Sequence, residues 1–127
     1  MNKATAEMLI TRKLQGDYDK LQVKVVEIPS LDFSLELRKP KIEKVLSRLD
    51  DIKNANSSEE NIRFMQELVY DACPMLHNQE LQEAFECKEP IDIVTAILND
   101  NYKELERLSE HVLDFYGLGE LDDAVKN

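Results

Sequence analysis

Two histidines, two cysteines and three pairs of adjacent carboxylates are the side chains from which chemistry could be built in this chain. His77 and His111 have no partner at the spacing that puts two metal ligands on one helix face, as H-E-x-x-H does. They read as surface or interface histidines. Cys73 and Cys87 lack a C-x-x-C spacing and a neighbouring histidine pair, so two buried free thiols are expected rather than a redox or zinc site. Asp50-Asp51, Glu59-Glu60 and Asp122-Asp123 are sequence neighbours, which project about 100° apart on a helix and do not converge as an acid/base pair must. The chain's three glycines, Gly16, Gly117 and Gly119, form neither a dinucleotide fingerprint nor a phosphate-cradling loop. No catalytic, cofactor or metal site is expected, and the chain reads as a non-enzyme that works by contact.

Arg38, Lys39, Lys41, Lys44 and Arg48 make one basic cluster, with positions 41, 44 and 48 on a single helical face. Nucleic-acid binding would call for interleaved aromatics and a positive domain, and the chain has 16 Lys/Arg against 26 Asp/Glu for a net charge of −10. A polyanion is repelled by such a surface. Charge is uneven as well: residues 1–53 carry 11 basic and 9 acidic side chains, residues 54–127 carry 5 and 17. The basic cluster is therefore expected to meet the acidic half, within the chain or across an interface. That acidic half is either a solvated face or a surface for a basic partner.

The elements that must position these groups follow from periodicity. With 127 residues, 43% apolar and 33% charged, the chain can bury one core, and 6% aromatics with few glycines and prolines disfavour an all-β fold. Residues 1–20 form an N-terminal segment with a weak helical pattern over 4–15, on which Ala6, Ile10 and Leu14 share a side before Gly16-Asp17. Residues 21–38 read as an antiparallel hairpin: LQVKVVEI is rich in β-branched residues, and Phe33, Leu35 and Leu37 alternate with polar residues after the turn Pro29-Ser30-Leu31-Asp32.

Residues 39–117 form a helical body. Ile42, Val45, Leu46, Leu49 and Ile52 recur at helical spacing after Pro40, and Ser57 with Glu60 fits a capping box ahead of Ile62, Met65, Leu68, Val69 and Ala72. Pro74 ends that helix, and Asn78 caps a short one carrying Leu81, Ala84 and Phe85. Pro90 opens a segment that is apolar nearly all round from Ile91 to Leu98, either central in the core or covered by a partner, including a second copy of the chain. A last helix from about Asp100 to Tyr116 places Leu105, Leu108, Val112, Phe115 and Tyr116 on one face and stops at Gly117, leaving residues 118–127 as a tail. The fold class is thus α+β, predominantly helical: one domain with an N-terminal hairpin followed by about five helices. No apolar run reaches the length of a signal-peptide core or a membrane span, so a cytoplasmic protein is expected. Apolar side chains outside the main stripes are the candidates for partner binding: Phe64, Tyr70, Ile93, Leu118, Leu121 and Val125.

The run VKVVEIPSL with its following strand and helix, the central VYDACPMLHNQELQEAFECKEPIDIV and the terminal YGLGELDDAVKN resemble the tail assembly chaperones of long-tailed phages and prophages of Gram-positive bacteria, the XkdN-like group. The likeness runs from Leu21 to Asn127. It implies a non-catalytic protein of the host cytosol, not retained in the finished virion, that binds the tape measure protein and keeps it soluble until tail tube subunits polymerise around it. It also implies a longer product, made by a ribosomal slip into the −1 frame, through which the tail tube protein is reached. Val125-Lys126-Asn127 can be encoded as GUA AAA AAU or GUA AAA AAC, a run on which both tRNAs re-pair one base back. The alternative from composition alone is a small acidic adaptor or inhibitor that regulates a host or phage protein by surface contact.

Overall fold

The computed structural model describes residues 3–53 and 57–118. Thr5 opens the first helix, α1 (Ala6–Leu14), by accepting a bond from the Met8 amide at 3.2 Å. Gly16, at φ 81°, turns the chain into a single helical turn, α2 (Asp17–Lys20). Strands β1 (Val23–Ile28) and β2 (Phe33–Arg38) then pair antiparallel, from Val23 opposite Arg38 to Ile28 opposite Phe33. The turn between them is a 3-10 turn over Pro29–Leu31 closed by Asp32 at φ 56°, a left-handed position that Asp tolerates better than most residues. Period-two burial holds: Val26, Ile28, Leu35 and Leu37 face the core.

Helix α3 (Ile42–Lys53) buries Val45, Leu49 and Ile52, while Ile42 and Leu46 of the expected stripe remain exposed. Helix α4 (Ser58–Ala72) is the axis of the domain. Ser57 caps it by accepting from the Glu60 amide at 3.2 Å. It lies against α3, β2 and the later helices α6 (Ile93–Ile97) and α7 (Tyr102–Asp114), so its buried positions spread over roughly 200° of its circumference. A 3-10 turn at Pro74–His77 and the short helix α5 (Gln79–Ala84), capped by Asn78, connect it to the second half.

The segment after Pro90 is a 3-10 turn followed by the five-residue α6, rather than one longer helix. Its apolar residues belong to the domain's interior: Ile93, Val94 and Leu98 are buried and Ile97 is half-buried. This settles the two options for the segment in favour of the core. Three helices end in the same reciprocal arrangement, with a left-handed residue at Glu86, Asn99 or Gly117. The next amide in each case bonds back to the carbonyl five residues earlier: Cys87 to Gln82, Asp100 to Thr95 and Leu118 to Leu113.

The polar seams between hairpin and helices are also made within the chain. Lys24 donates to the His111 carbonyl at 2.9 Å and sits 4.6 Å from the Phe115 ring, Arg107 donates to the Glu27 carbonyl, and the Tyr116 hydroxyl donates to the Pro40 carbonyl. The result is an N-terminal hairpin on a helical body of five helices, α3 to α7.

Candidate interaction surface

The residues singled out for partner binding fall in three places. Phe64, 4% exposed, and Ile93, fully buried, are core residues, which corrects their reading as spare apolar side chains. The cause is α4's central position: the C-terminal end of α3 brings Ile52 alongside Phe64, and α6 packs Ile93 onto the same axis. Tyr70 and Leu118 are half-buried at the rim. Tyr70 stacks on His77 at 4.1 Å between ring centroids, its carbonyl lies 2.8 Å from His77 Nε2, and its hydroxyl accepts from Gln82 at 3.4 Å. Leu118 folds back onto the core through the α7 end cap. Leu121 and Val125 lie outside the described residues.

Two members of the basic cluster, Lys44 and Arg48, meet the acidic half within the chain. Asp71, whose side chain is 8% exposed, takes Lys44 and Arg48 at 3.3 Å each, and Arg48 also reaches Glu67 at 3.2 Å. Lys39 lies 5.1 Å from the Tyr116 ring. Burial, and then Asp71, push the Tyr116 hydroxyl up to about 12, which keeps it a donor through neutral pH. Cys73 is buried and Cys87 half-buried, and burial raises both thiols above their usual range.

A cleft between α3 and α4 has Ile52 and Phe64 at its floor and Asp51, Glu59, Glu60 and Glu67 around Arg63. Arg63 is engaged by Glu89 at 2.7 Å, and the lining holds no Ser, Thr, Cys, Lys or His. Among the described residues, no group of three or more His, Cys, Asp or Glu is placed to hold a metal ion, and no helix is long and apolar enough to cross a membrane.

A further apolar surface lies on the N-terminal helices. Neither α1 nor α2 contains a buried residue. Leu9, Ile10 and Leu14 fall on one 140° arc of α1 by helical geometry, Leu14 is 82% exposed and Ile10 59%. With Tyr18 from α2 and Lys13 and Gln22 at the edge, they line a shallow open groove. Leu21 and Val25 are exposed as well. Helix α1 thus keeps its apolar arc in solvent among the described residues. The spacing of Ile10 and Leu14 was visible in the sequence; that none of the described residues buries them was not.

No protein family, curated protein or solved structure matches this chain.

Proposed function

We propose that this protein is a non-catalytic tail assembly chaperone that covers apolar helical stretches of a phage tape measure protein and keeps them soluble. The observation that carries this reading is the exposed apolar arc of Leu9, Ile10 and Leu14 with Tyr18, on two helices that bury no residue. A shallow groove between two helical segments accepts the apolar face of a third by helix-in-groove packing. The resemblance to tail assembly chaperones begins at Leu21, whereas Leu9, Ile10, Lys13, Leu14 and Tyr18 of the groove precede it, so the two supports are separate.

Net charge fits the same task. A chain at −10 resists coaggregation while it carries an apolar client, and its acidic half steers Lys/Arg-rich segments of that client toward the complex. The test is co-production with the tape measure polypeptide, scored by the fraction of the latter that stays soluble. The chain should raise that fraction severalfold, and Leu14→Glu should remove most of the gain while leaving helical content unchanged. Equal precipitation with and without the chain, or recovery of a folded regulatory protein as its partner instead, overturns the proposal.

A further inference from the structure

Two polar side chains are buried among the described residues, Gln66 of α4 and Ser109 of α7. Ser109 turns its hydroxyl inward and donates to the Leu105 carbonyl at 2.9 Å. Gln66, 8% exposed, is only half engaged. Its Nε2 donates to the Thr95 hydroxyl at 3.1 Å, and that hydroxyl commits its one proton to the Asp92 carbonyl at 3.3 Å. Thr95 can therefore only accept from Gln66, which fixes the amide with its oxygen turned away from Thr95. Oε1 has no protein donor among the described residues, and no fully enclosed side-chain oxygen or nitrogen there lacks a partner, so Oε1 opens onto the space beside it. That space is a cavity of about 240 Å³ between α4, α6 and the start of α7. Ile62, Leu105 and Tyr102 give it apolar surface, and the exposed Asp100 is the one charged side chain in its lining among the described residues.

We infer that this cavity is a pocket for a lysine side chain of another polypeptide, its methylenes against Ile62, Leu105 and Tyr102 and its ammonium shared between Gln66 Oε1 and the Asp100 carboxylate. A largely buried amide oxygen facing a cavity calls for a hydrogen-bond donor, and a carboxylate beside it calls for a positive one. An anion meets the opposite: Asp100 repels it, and Asn101 already caps the amino end of α7 by accepting from the Glu104 amide at 3.1 Å. Lysine suits the pocket better than arginine. A planar guanidinium matches two acceptors on one carboxylate, whereas the three donors of an ammonium turn freely toward a carbonyl and a carboxylate carried by different elements. The apolar walls suit the four-carbon stem. Residues 54–127, with 5 basic and 17 acidic side chains, attract the same occupant. The pocket shares no residue with the groove of α1 and α2, and the inference does not rest on the client proposed above.

The experiment is an NMR titration of the isotope-labelled full chain with N-acetyl-lysine methylamide, and with its norleucine counterpart, which keeps the carbon stem and lacks the ammonium. The Gln66 side-chain amide and the backbone amides of residues 95–102 should shift and saturate in the millimolar range expected of one side chain. The norleucine compound should bind about tenfold more weakly. Gln66→Met, close in shape but without the acceptor, should weaken lysine binding about tenfold. Asp100→Asn suits the same left-handed backbone, φ 59°, and should weaken it about threefold, as for an exposed charge. If Gln66→Met loses helical circular dichroism, Asp100→Asn decides alone. Absence of binding, equal binding of the lysine and norleucine compounds, shifts confined to other parts of the chain, or wild-type affinity in a folded variant overturns the inference. Because no client is present, these outcomes are separate from the solubility assay.

Discussion

Replacing Ile93 and Leu14 by alanine in parallel separates core from surface in one experiment. Ile93 is fully buried on α6 against α4, and truncation to alanine removes three carbons whose transfer alone is worth about 2.4 kcal/mol. The cavity left in a packed interior adds to this, for a total cost of about 3–4 kcal/mol. Leu14 is 82% exposed on a helix that buries nothing, so the same truncation there should cost under about 0.5 kcal/mol. For a chain of this length about 1 kcal/mol corresponds to about 4 °C in melting temperature, so Ile93→Ala should melt about 12–16 °C below wild type and Leu14→Ala within about 2 °C of it. Urea unfolding followed by circular dichroism at 222 nm gives the free energies directly. Comparable losses for the two variants, or a loss below about 1 kcal/mol for Ile93→Ala, would refute the assignment of α6 to the core and α1 to the surface.

Two further outcomes follow from the polar seams. Asp71→Asn removes the carboxylate that Lys44 and Arg48 share, and thermal melts should show a loss of about 1–2 kcal/mol that shrinks in 1 M salt; a salt-independent loss would mean packing rather than charge. His111 is held below its ordinary value by burial first, then by the cations of Lys24 and Arg107, with Asp114 opposing, so the unfolded chain binds the proton more readily. Stability from this group is complete above the unfolded value near 6.5 and is lost as pH falls below it. The urea midpoint should therefore drop less between pH 7.5 and 5 in His111→Gln than in wild type, and equal drops would contradict this.

What could be read from the sequence was what short-range chemistry decides. The hairpin follows from period-two alternation around a Pro-Ser-Leu-Asp turn, and the Ser57 and Asn78 caps from one side chain meeting an amide three residues on. Gly117 announced the end of α7, whereas Glu86 and Asn99 make the same left-handed cap without a glycine to mark it. Burial of Phe64 and Ile93 was not legible because it depends on how many neighbours surround α4, a tertiary fact that widens its buried arc well past one stripe. Leu113 escaped for the same reason, lying about 80° from Leu105 on a helix packed along a broad face. The pairing of Lys44 and Arg48 with Asp71 was foreshadowed by the opposed charges of the two halves.

Under the function proposed above, α1 and α2 hold the client. Amide hydrogen exchange of the chain, with and without a soluble fragment of the tape measure protein, tests this most directly. In the free chain the backbone of residues 6–20 should exchange fast, since no tertiary burial protects it, and in the complex it should slow more than that of any other described segment. Slowing confined to the helical body, with residues 6–20 unchanged, would contradict the account.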